Sequence, residues 1–340
     1  MASTAKLVIA MNSASPASIW RWPASATASL QAQFPEVEFV EYPRPVDQPA
    51  TPRELDADAA LFAEADAALA WRLDPRLLAV APRLRWIHCP AAAVHQLLSP
   101  ELRSSAIVVT NGASVHAETV AEHALALMLA LARGLPQAAA DQAARRWQPQ
   151  PWLDQLSTLA GATALIAGMG HIGRALAPKL AALGMTVIGV RRRPGQAVGG
   201  VSEMHPPEAL ETLLPRADYL VLALPATAAT TARIGTAQLA CLRPSARLVN
   251  IGRGTALDEH ALEQALRERR LAAAAVDVLA EEPLAAASPL WRAPRLLITP
   301  HMAAFVPDTW QRQAGLVASH LRRFLAGEPL TPTVDKELGY

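Results

Sequence analysis

The segment GMGHIG, residues 168–173, constrains the fold of this chain more than any other feature. It follows the apolar run TALIA and precedes a helical stretch, so its three glycines lie where a strand turns into a helix. In that context they permit a tight turn, close approach of a pyrophosphate, and close packing of helix on strand. The helix N-terminus adds N–H groups that favour an anion. A tight turn without a ligand is the alternative. The predicted dinucleotide contacts in this loop are Gly168, Gly170, His171, Ile172 and Gly173.

Short apolar runs alternate with helical segments along most of the chain. The candidate strands are 6–11, 38–42, 67–71, 84–89 and 107–111, then 163–168, 186–191, 219–224, 247–252, 272–278 and 295–300. This alternation predicts α/β architecture with parallel sheets covered by helices on both faces. The six later strands match the number in a full dinucleotide-binding sheet. Long helices are expected at 117–133 and about 308–326, and 340 residues suffice for two domains.

The position that reads the ribose of a dinucleotide comes about 20 residues after the glycine loop. Arg191, Arg192 and Arg193 stand there, without the usual Asp or Glu. A carboxylate accepts hydrogen bonds from a 2′-hydroxyl, whereas a guanidinium binds the oxygens of a 2′-phosphate. We therefore predict NADP(H) as the preferred cofactor, read by Arg191 and Arg192, with NAD(H) still possible. The alternative is that the arginines only solvate a loop, which is the expectation for Arg193.

Several chemically capable residues follow the later strands. Ligands of open parallel sheets bind outside the carboxyl ends of the strands, so these residues should share one edge. They are Pro225, Arg253, Asp277, Glu281, Glu282 and His301. Each alone has a structural alternative: an ion pair at a strand end for the arginine, a solvated loop acid for a glutamate, and a surface side chain for the histidine. Together they favour a catalytic edge.

Seven motifs then carry a resemblance to a known family. They are TVAEHALALMLALAR, GMGHIG, LPATAATTARIG, LVNIGRGTALDEHALEQAL, AAVDVLAEEPL, SPLW and ITPHMAA, within about residues 107–305. In this order and spacing the chain closely resembles the D-isomer-specific 2-hydroxyacid dehydrogenases. The resemblance implies two Rossmann- or flavodoxin-like domains. It places the NAD(P)-binding domain at 112–303, inserted into a substrate-binding domain made of 1–111 and 304–340, with a cleft that closes on substrate.

The resemblance also implies roles for individual residues. His301 would be the general acid, and Glu282 would pair with it and favour its protonated form. The family places this glutamate directly before a proline, which favours Glu282 over Glu281. Arg253 would bind the substrate carboxylate and polarise the carbonyl. Asp277 would accept a hydrogen bond from the nicotinamide carboxamide, with a cap at the strand end as its alternative role.

The remaining predicted contacts come from two other turns. In the family, backbone N–H groups of the turn at 90–95 cap the substrate carboxylate. That turn is usually richer in glycine, and His95 stands where Asp is common. The expected substrate contacts are Ala92, Ala93, Arg253 and His301. The expected further cofactor contacts are Pro225 and Thr230, in the motif LPATAATTARIG.

Composition and apolar patterning argue against nucleic acid and membranes as partners. The formal net charge of +1 gives no general footprint for nucleic acid. The longest apolar run, 124–132, is too short to span a bilayer, and the N-terminus lacks a charged leader. Cys89 and Cys241 fit reduced thiols in the cytoplasm, and no Cys and His cluster suggests a metal. Through the resemblance, helix 117–133 is expected to form a homodimer.

The leading functional hypothesis is NADPH-dependent reduction of a small 2-oxo acid, of the glyoxylate or hydroxypyruvate type, to the D-2-hydroxy acid. One alternative is an NAD-linked dehydrogenase acting on phosphoglycerate or D-lactate. Another is a dinucleotide-sensing protein of the corepressor kind, whose output is partner binding rather than turnover. The sequence does not identify the side chain of the acid.

Overall fold

The structure is a computed structural model that describes residues 6–12, 21–42, 51–195 and 197–340. The chain divides into two compact units. The first, called unit 1, consists of Met1–Val115 and Val306–Tyr340, and the second, unit 2, is His116–Phe305.

Both units are built from short strands and intervening helices. The strands are β1 Leu7–Met11, β2 Val37–Glu41, β3 Ala67–Leu69, β4 Trp86–Cys89, β5 Val108–Asn111, β6 Thr163–Ala167, β7 Thr186–Val190, β8 Glu203–His205, β9 Tyr219–Leu222, β10 Arg247–Asn250, β11 Ala273–Val276 and β12 Leu296–Ile298. The helices are α1 Ala24–Gln33, α2 Pro52–Glu64, α3 Pro75–Leu78, α4 Pro100–Ser104, α5 Ala117–Ala132, α6 Leu135–Ala143, α7 His171–Ala182, α8 Leu210–Leu213, α9 Thr236–Ala240, α10 Glu259–Arg267 and α11 Thr309–Leu325. Short 3₁₀ turns lie at Gln150–Gln155, Pro207–Ala209, Leu214–Arg216, Gly254–Ala256 and Pro289–Arg292.

Unit 1 contains a five-stranded parallel sheet in the order β2-β1-β3-β4-β5. Alternate residues of β1 enter different apolar clusters. Ile9 and Met11 pack with residues of α1 and α11, while Ala10 packs with Phe62 of α2 and Leu102 of α4. Since both faces of the sheet are buried at its centre, β1 and β3 read as continuous apolar runs, whereas the edge strand β2 mixes glutamates with apolar residues.

Unit 2 contains a seven-stranded parallel sheet in the order β12-β11-β10-β9-β6-β7-β8. Ile166 of β6 faces the cluster that includes α5 and α7, and Leu165 faces the cluster formed with α8 to α10. The α/β class with parallel sheets, predicted from the sequence, is confirmed. The predicted count of six strands is wrong by one, because β8 is a three-residue, half-buried edge strand without an apolar run.

Helix α5 is buried along one broad stripe. Its buried residues are Ala117, Val120, Ala121, Ala124, Leu127, Met128, Leu131 and Ala132. They recur at three- and four-residue spacing, so they form one face that packs on α7 and on the sheet of unit 2. The helix ends where Gly134 takes the left-handed φ of 62° that glycine adopts easily. In the described part of the chain, no helix is both long enough and apolar enough to cross a membrane.

A buried histidine lies in the sheet of unit 1. His88 on β4 is fully buried, with its ring centre 5.7 Å from that of His320 on α11. Its Nδ1 lies 2.8 Å from the Thr110 hydroxyl, which also accepts a hydrogen bond from Trp86 Nε1. Burial lowers the pKa of His88 to about 3, and the neighbouring His320 adds to that effect.

His88 should make unit 1 sensitive to acid. Below about pH 6.5 the unfolded chain protonates this histidine while the folded chain keeps it neutral, so stability falls as the pH falls. We expect this group alone to lower the free energy of unfolding by about 2 kcal/mol between pH 7 and pH 5. Urea titrations at both pH values should show that His88→Asn lacks this pH-dependent fall in the free energy of unfolding. His260→Asn, at an exposed position of α10, should retain it. Equal pH slopes for His88→Asn and the wild type would contradict the assignment.

Candidate active site

The glycine loop has the geometry that its spacing predicts. Gly168 takes a φ of 105°, and a Cβ there would lie 2.4 Å from the backbone oxygen of Ala223. A Cβ at Gly173 would lie 2.4 Å from the oxygen of Gly168, so the third glycine permits close packing of α7 on the loop. A Cβ at Gly170 would meet nothing within 4 Å. The predicted contacts His171 and Ile172 form the first turn of α7. The loop is therefore closed towards the sheet and open beyond Gly170, as a bound pyrophosphate requires.

The arginine cluster follows β7, the strand next to β6. The backbone N–H of Arg191 donates to the carbonyl of His205, which extends the pairing between β7 and β8 by one residue. The side chain of Arg191 is half-buried, whereas Arg192 and Arg193 are exposed. The carboxylate on the neighbouring strand, Glu203, is bound by Arg216 and His205. It therefore does not replace the acid that is missing after β7.

The turn after β9 is folded by Thr230. Its hydroxyl donates to the carbonyl of Pro225 at 2.5 Å and accepts from the backbone N–H of Thr227 at 2.9 Å. Both predicted cofactor contacts of this turn thus belong to one hydrogen-bonded loop. The loop lies at the carboxyl end of β9, which is adjacent to β6 in the sheet.

Arg253 lies between two glycines that bring its backbone close to neighbouring loops. A Cβ at Gly252 would lie 2.7 Å from the backbone of Leu224, and one at Gly254 only 1.8 Å from that of Leu279. The guanidinium donates to the carbonyl of Gly252 at 2.6 Å. Burial lowers the pKa of Arg253, and the charge of Glu282 opposes that shift. The cation is therefore set in the electrostatic field of a carboxylate from a different loop.

That carboxylate is bonded directly to the predicted general acid. Glu282 Oε2 lies 2.6 Å from His301 Nδ1, and its Oε1 accepts from the backbone N–H of Leu279 at 2.8 Å. Burial raises the pKa of Glu282, but the bonds to His301 and Leu279 outweigh it and the pKa is lowered. An ionised Glu282 only accepts, so Nδ1 of His301 carries a hydrogen and proton transfer falls to Nε2. Of the two adjacent acids, Glu282 and not Glu281 makes this contact.

Asp277 anchors the segment that carries His301. Its side chain is 2% exposed. The carboxylate accepts from the Thr299 hydroxyl at 2.6 Å and from the backbone N–H groups of Met302 and Ala303 at 3.0 and 3.1 Å. Burial raises the pKa of Asp277, but these bonds and that of His123 outweigh it and the pKa is lowered. The structure thus shows the strand-end cap. With the contact of His123, four groups occupy about the four acceptor positions that a carboxylate has, and the bond to a nicotinamide carboxamide stays a prediction.

Two residues of this site were missed by sequence reasoning. Glu259, in the first turn of α10, accepts from the backbone N–H of Ala280 at 2.6 Å and so holds the loop that leads to Glu282. His123 of α5 contacts both Thr299 and Asp277. Glu259 is the residue after the N-cap Asp258, and an acid at a helix start has an ordinary explanation. For His123, the only feature of the sequence that could have indicated a role is its position as a polar residue in a mainly apolar helix.

The turn Pro90–Ala93 of unit 1 is held by its carbonyl groups. The donors to the oxygens of Pro90, Ala91 and Ala92 are Gln313 Nε2, the backbone N–H of Gly112 and Asn111 Nδ2, at 2.8, 3.2 and 3.0 Å. Because a trans peptide points its N–H away from its C=O, the N–H groups of Ala92 and Ala93 face the opposite way, while that of Ala91 lies at the buried thiol of Cys89. None of these three alanines has a positive φ, so the turn does not require glycine. His95 is exposed.

Possible metal ligands and the two cysteines are the remaining reactive groups among the residues described. Within those ranges, no group of three or more His, Cys, Asp or Glu side chains is arranged to hold a metal ion. Cys89 is buried and Cys241 exposed, and both are free thiols. Burial raises the pKa of Cys89 to about 12, which makes it unreactive as a thiolate.

A glycine loop at a helix N-terminus, with an imidazole, a carboxylate and a guanidinium at the same sheet edge, defines an NAD(P)-dependent dehydrogenase. Residues 125–303 match the family model described as D-isomer specific 2-hydroxyacid dehydrogenase, NAD binding domain. The glyoxylate/hydroxypyruvate reductase B of Pectobacterium atrosepticum is 34% identical over 292 residues, which are 83% of this chain and 91% of that protein. The chain belongs to the D-isomer-specific 2-hydroxyacid dehydrogenase family, as its motifs predicted, and is an oxidoreductase.

Two further proteins are similar to this chain and are named for different activities. The D-3-phosphoglycerate dehydrogenase of Mycobacterium leprae is 32% identical over 282 residues, 81% of this chain and 52% of that protein. A crystal structure of the NADPH-dependent glyoxylate/hydroxypyruvate reductase of Sinorhizobium meliloti, in complex with NADP and sulfate, is similar with a TM-score of 0.80. It has 26% identity and covers 98% of this chain and 100% of that one.

The first two glycines of the loop should respond differently to substitution. Gly168→Ala places a Cβ on a left-handed residue and against the backbone of Ala223, so we expect a loss of at least about 2 kcal/mol in the free energy of unfolding. Gly170→Ala meets no atom of the protein, so its stability should change by less than about 0.5 kcal/mol while its dinucleotide affinity falls. Urea unfolding and calorimetric titration with NADPH measure both. Equal destabilisation by the two substitutions would contradict this reading of the loop.

Proposed function

We propose that this protein reduces a small 2-oxo acid, of the glyoxylate or hydroxypyruvate type, to the D-2-hydroxy acid with NADPH. The observation that carries the proposal is the bond between His301 Nδ1 and Glu282 Oε2, with Arg253 in the field of the same carboxylate. Carbonyl reduction needs a proton donor and a fixed cation for the charge that develops on oxygen. The relatives named as glyoxylate and hydroxypyruvate reductases support this substrate class.

The protein's own groups divide the work of the reaction. His301 delivers a proton from Nε2 to the carbonyl oxygen, while Glu282 stabilises the imidazolium through Nδ1. Arg253 binds the substrate carboxylate and lowers the energy of the negative charge that forms on the carbonyl oxygen. A nicotinamide, when bound, would supply the hydride. The residues that fit the dinucleotide are those of the loop at 168–173, where the chain is closed towards the sheet and open beyond Gly170.

The turn Pro90–Ala93 is suited to bind a carboxylate. Its three carbonyl groups are used within unit 1, and the N–H groups of Ala92 and Ala93 point away from those bonds and can serve as donors. Backbone N–H donors bind a carboxylate without the desolvation cost of a second cation. This supports the assignment of Ala92 and Ala93 as substrate contacts.

We propose NADP(H) rather than NAD(H) as the preferred cofactor. The position after β7 has arginines in place of an acid, and Glu203 on β8 is already bound to Arg216 and His205. The Sinorhizobium meliloti relative was crystallised with NADP, which agrees with this preference. A 2′-phosphate would gain charge-assisted bonds from Arg191 and Arg192, whereas a 2′-hydroxyl would gain much less.

Replacing the arginines should change cofactor choice. The double variant Arg191→Ala/Arg192→Ala should lose about ten- to hundred-fold in kcat/KM for NADPH and change less than about threefold for NADH. Arg193→Ala is the matched control, since it removes a neighbouring guanidinium that is expected only to solvate the loop. Initial rates with both cofactors measure the effect. Faster turnover with NADH in the wild type would overturn the cofactor assignment.

His301→Ala should lose about 10²–10⁴ in kcat, the usual contribution of a general acid. The control is His260→Ala, another histidine of unit 2 that lies on the exposed face of α10. Steady-state rates should be measured with glyoxylate, hydroxypyruvate, 3-phosphohydroxypyruvate and pyruvate. The last two substrates test the phosphoglycerate and lactate alternatives, of which the first is favoured by the Mycobacterium leprae relative. A near wild-type rate for His301→Ala would remove the histidine from the mechanism.

We propose a homodimer formed through the region of helix 117–133. Four large apolar side chains at or after this helix are exposed in the single chain, which is typical of an interaction surface. They are Leu129, Leu135, Trp147 and Leu153, at 39%, 55%, 98% and 59% exposure. Their exposure supports contact with a second copy.

A charge placed on this apolar surface should separate the subunits. Leu135→Glu combined with Leu129→Glu should shift the sedimentation coefficient from dimer to monomer, because burying two carboxylates is costly. Val80→Glu, a change at another exposed apolar position in unit 1, should leave the assembly intact. A monomeric wild-type protein in analytical ultracentrifugation would refute the proposal.

A further inference from the structure

His123 links a long helix to the segment that carries the proposed general acid. It lies in the middle of α5, with 19% of its side chain exposed. Its Nε2 is 3.1 Å from the Thr299 hydroxyl and 3.4 Å from Asp277 Oδ1. Thr299 and His123 are 176 positions apart in sequence, so only the fold brings them together.

The hydrogen positions in this cluster follow from the partners. Asp277 is ionised, because its pKa is lowered by His123, Thr299 and two N–H groups against the effect of burial, and an ionised carboxylate only accepts. The contact of 2.6 Å between Asp277 and the Thr299 hydroxyl therefore uses the single hydrogen of that hydroxyl. The hydroxyl can then only accept from His123, so Nε2 of His123 carries a hydrogen and donates it. A directed chain runs from His123 through Thr299 to Asp277.

The segment bound by Asp277, at the end of this series of hydrogen bonds, has a strained backbone. His301 has a φ of 49°, a left-handed conformation that is unfavourable for a residue with a Cβ. Its own N–H donates to the carbonyl of Asp277 at 2.8 Å. The next two N–H groups, of Met302 and Ala303, donate to the carboxylate of the same residue. The strained conformation therefore depends on the position of Asp277, and that carboxylate depends on Thr299 and His123.

We propose that His123 is a positioning residue for His301. By donating to Thr299 and lying beside Asp277, it fixes the carboxylate that binds the segment 299–303 and thereby holds the imidazole of His301 against Glu282. A displacement of a catalytic group by about 1 Å can lower a rate about a hundredfold, so a donor that fixes this segment matters for turnover. The kinetic part of this inference rests on the proposed role of His301, whereas the structural part does not.

The structural part is tested by hydrogen exchange of the intact protein. In His123→Leu, the amides of Met302 and Ala303 should exchange at least about tenfold faster, because the carboxylate that binds them loses its support. His123→Gln keeps an N–H donor and should restore most of the protection, and His260→Leu is the matched control with wild-type exchange. Thr299→Val removes the hydrogen bond between His123 and Thr299 by changing the other partner. It replaces His123→Leu in this test if that variant does not fold. Unchanged exchange of this segment in both His123→Leu and Thr299→Val would overturn the proposal.

The kinetic part is tested by combining substitutions, with NADPH and glyoxylate as the probe. His123→Leu should lower kcat about ten- to hundred-fold, with less than about threefold change in the Kd of NADPH. In the His301→Ala background the same substitution should have almost no further effect, since it acts only through that histidine. An equal loss in both backgrounds would show a general structural role and overturn the proposal. If His301→Ala alone had a wild-type rate, the proposed general acid would fail, and hydrogen exchange would still decide the role of His123.

Discussion

The parallel alignment of the strands in unit 2 is the constraint on which the rest of the site depends. Because β9, β10, β11 and β12 are adjacent and run in one direction, the loops that follow them leave the sheet at the same edge. Arg253, Asp277 and His301 each come from such a loop, although up to 48 positions separate them in sequence. Burial of both sheet faces in apolar clusters fixes the strand register, and the register in turn fixes the order of the loops.

At this edge of the sheet, carboxylates order the loops by accepting hydrogen bonds from them. Asp277 binds the hydroxyl of Thr299 and two backbone N–H groups, and Glu259 binds Ala280. Each thereby fixes one of the two loops from which Glu282 and His301 meet. Ionised acceptors bind N–H and O–H groups more strongly than neutral ones, so a few such bonds can order loops that have no regular secondary structure. The site is therefore pre-organised by groups that need not touch a substrate.

The sequence predicted the main features of the fold because these features are local. Strand positions follow from short apolar runs, and the tight turn at Gly168 follows from glycine spacing before a helix. The same reasoning missed β8, since Glu203, Met204 and His205 form a short edge strand without a hydrophobic signal. Among the candidate site residues, Arg253, Glu282 and His301 were predicted from motif order. His123 was not, because its partner Thr299 lies 176 positions away and no spacing rule connects them.

The sequence by itself determined which chemical groups are present and in what order they follow the strands, because both depend only on neighbouring residues. It also determined that the side chain after β7 is a positively charged arginine rather than a carboxylate. The tertiary structure decided which groups meet: that Glu282 rather than Glu281 reaches Nδ1 of His301, and that Asp277 caps the segment ending at Ala303. It also decided that Gln313 of the last helix holds the turn at Pro90. These outcomes depend on the packing of segments that are distant along the chain, and local patterns do not encode that packing.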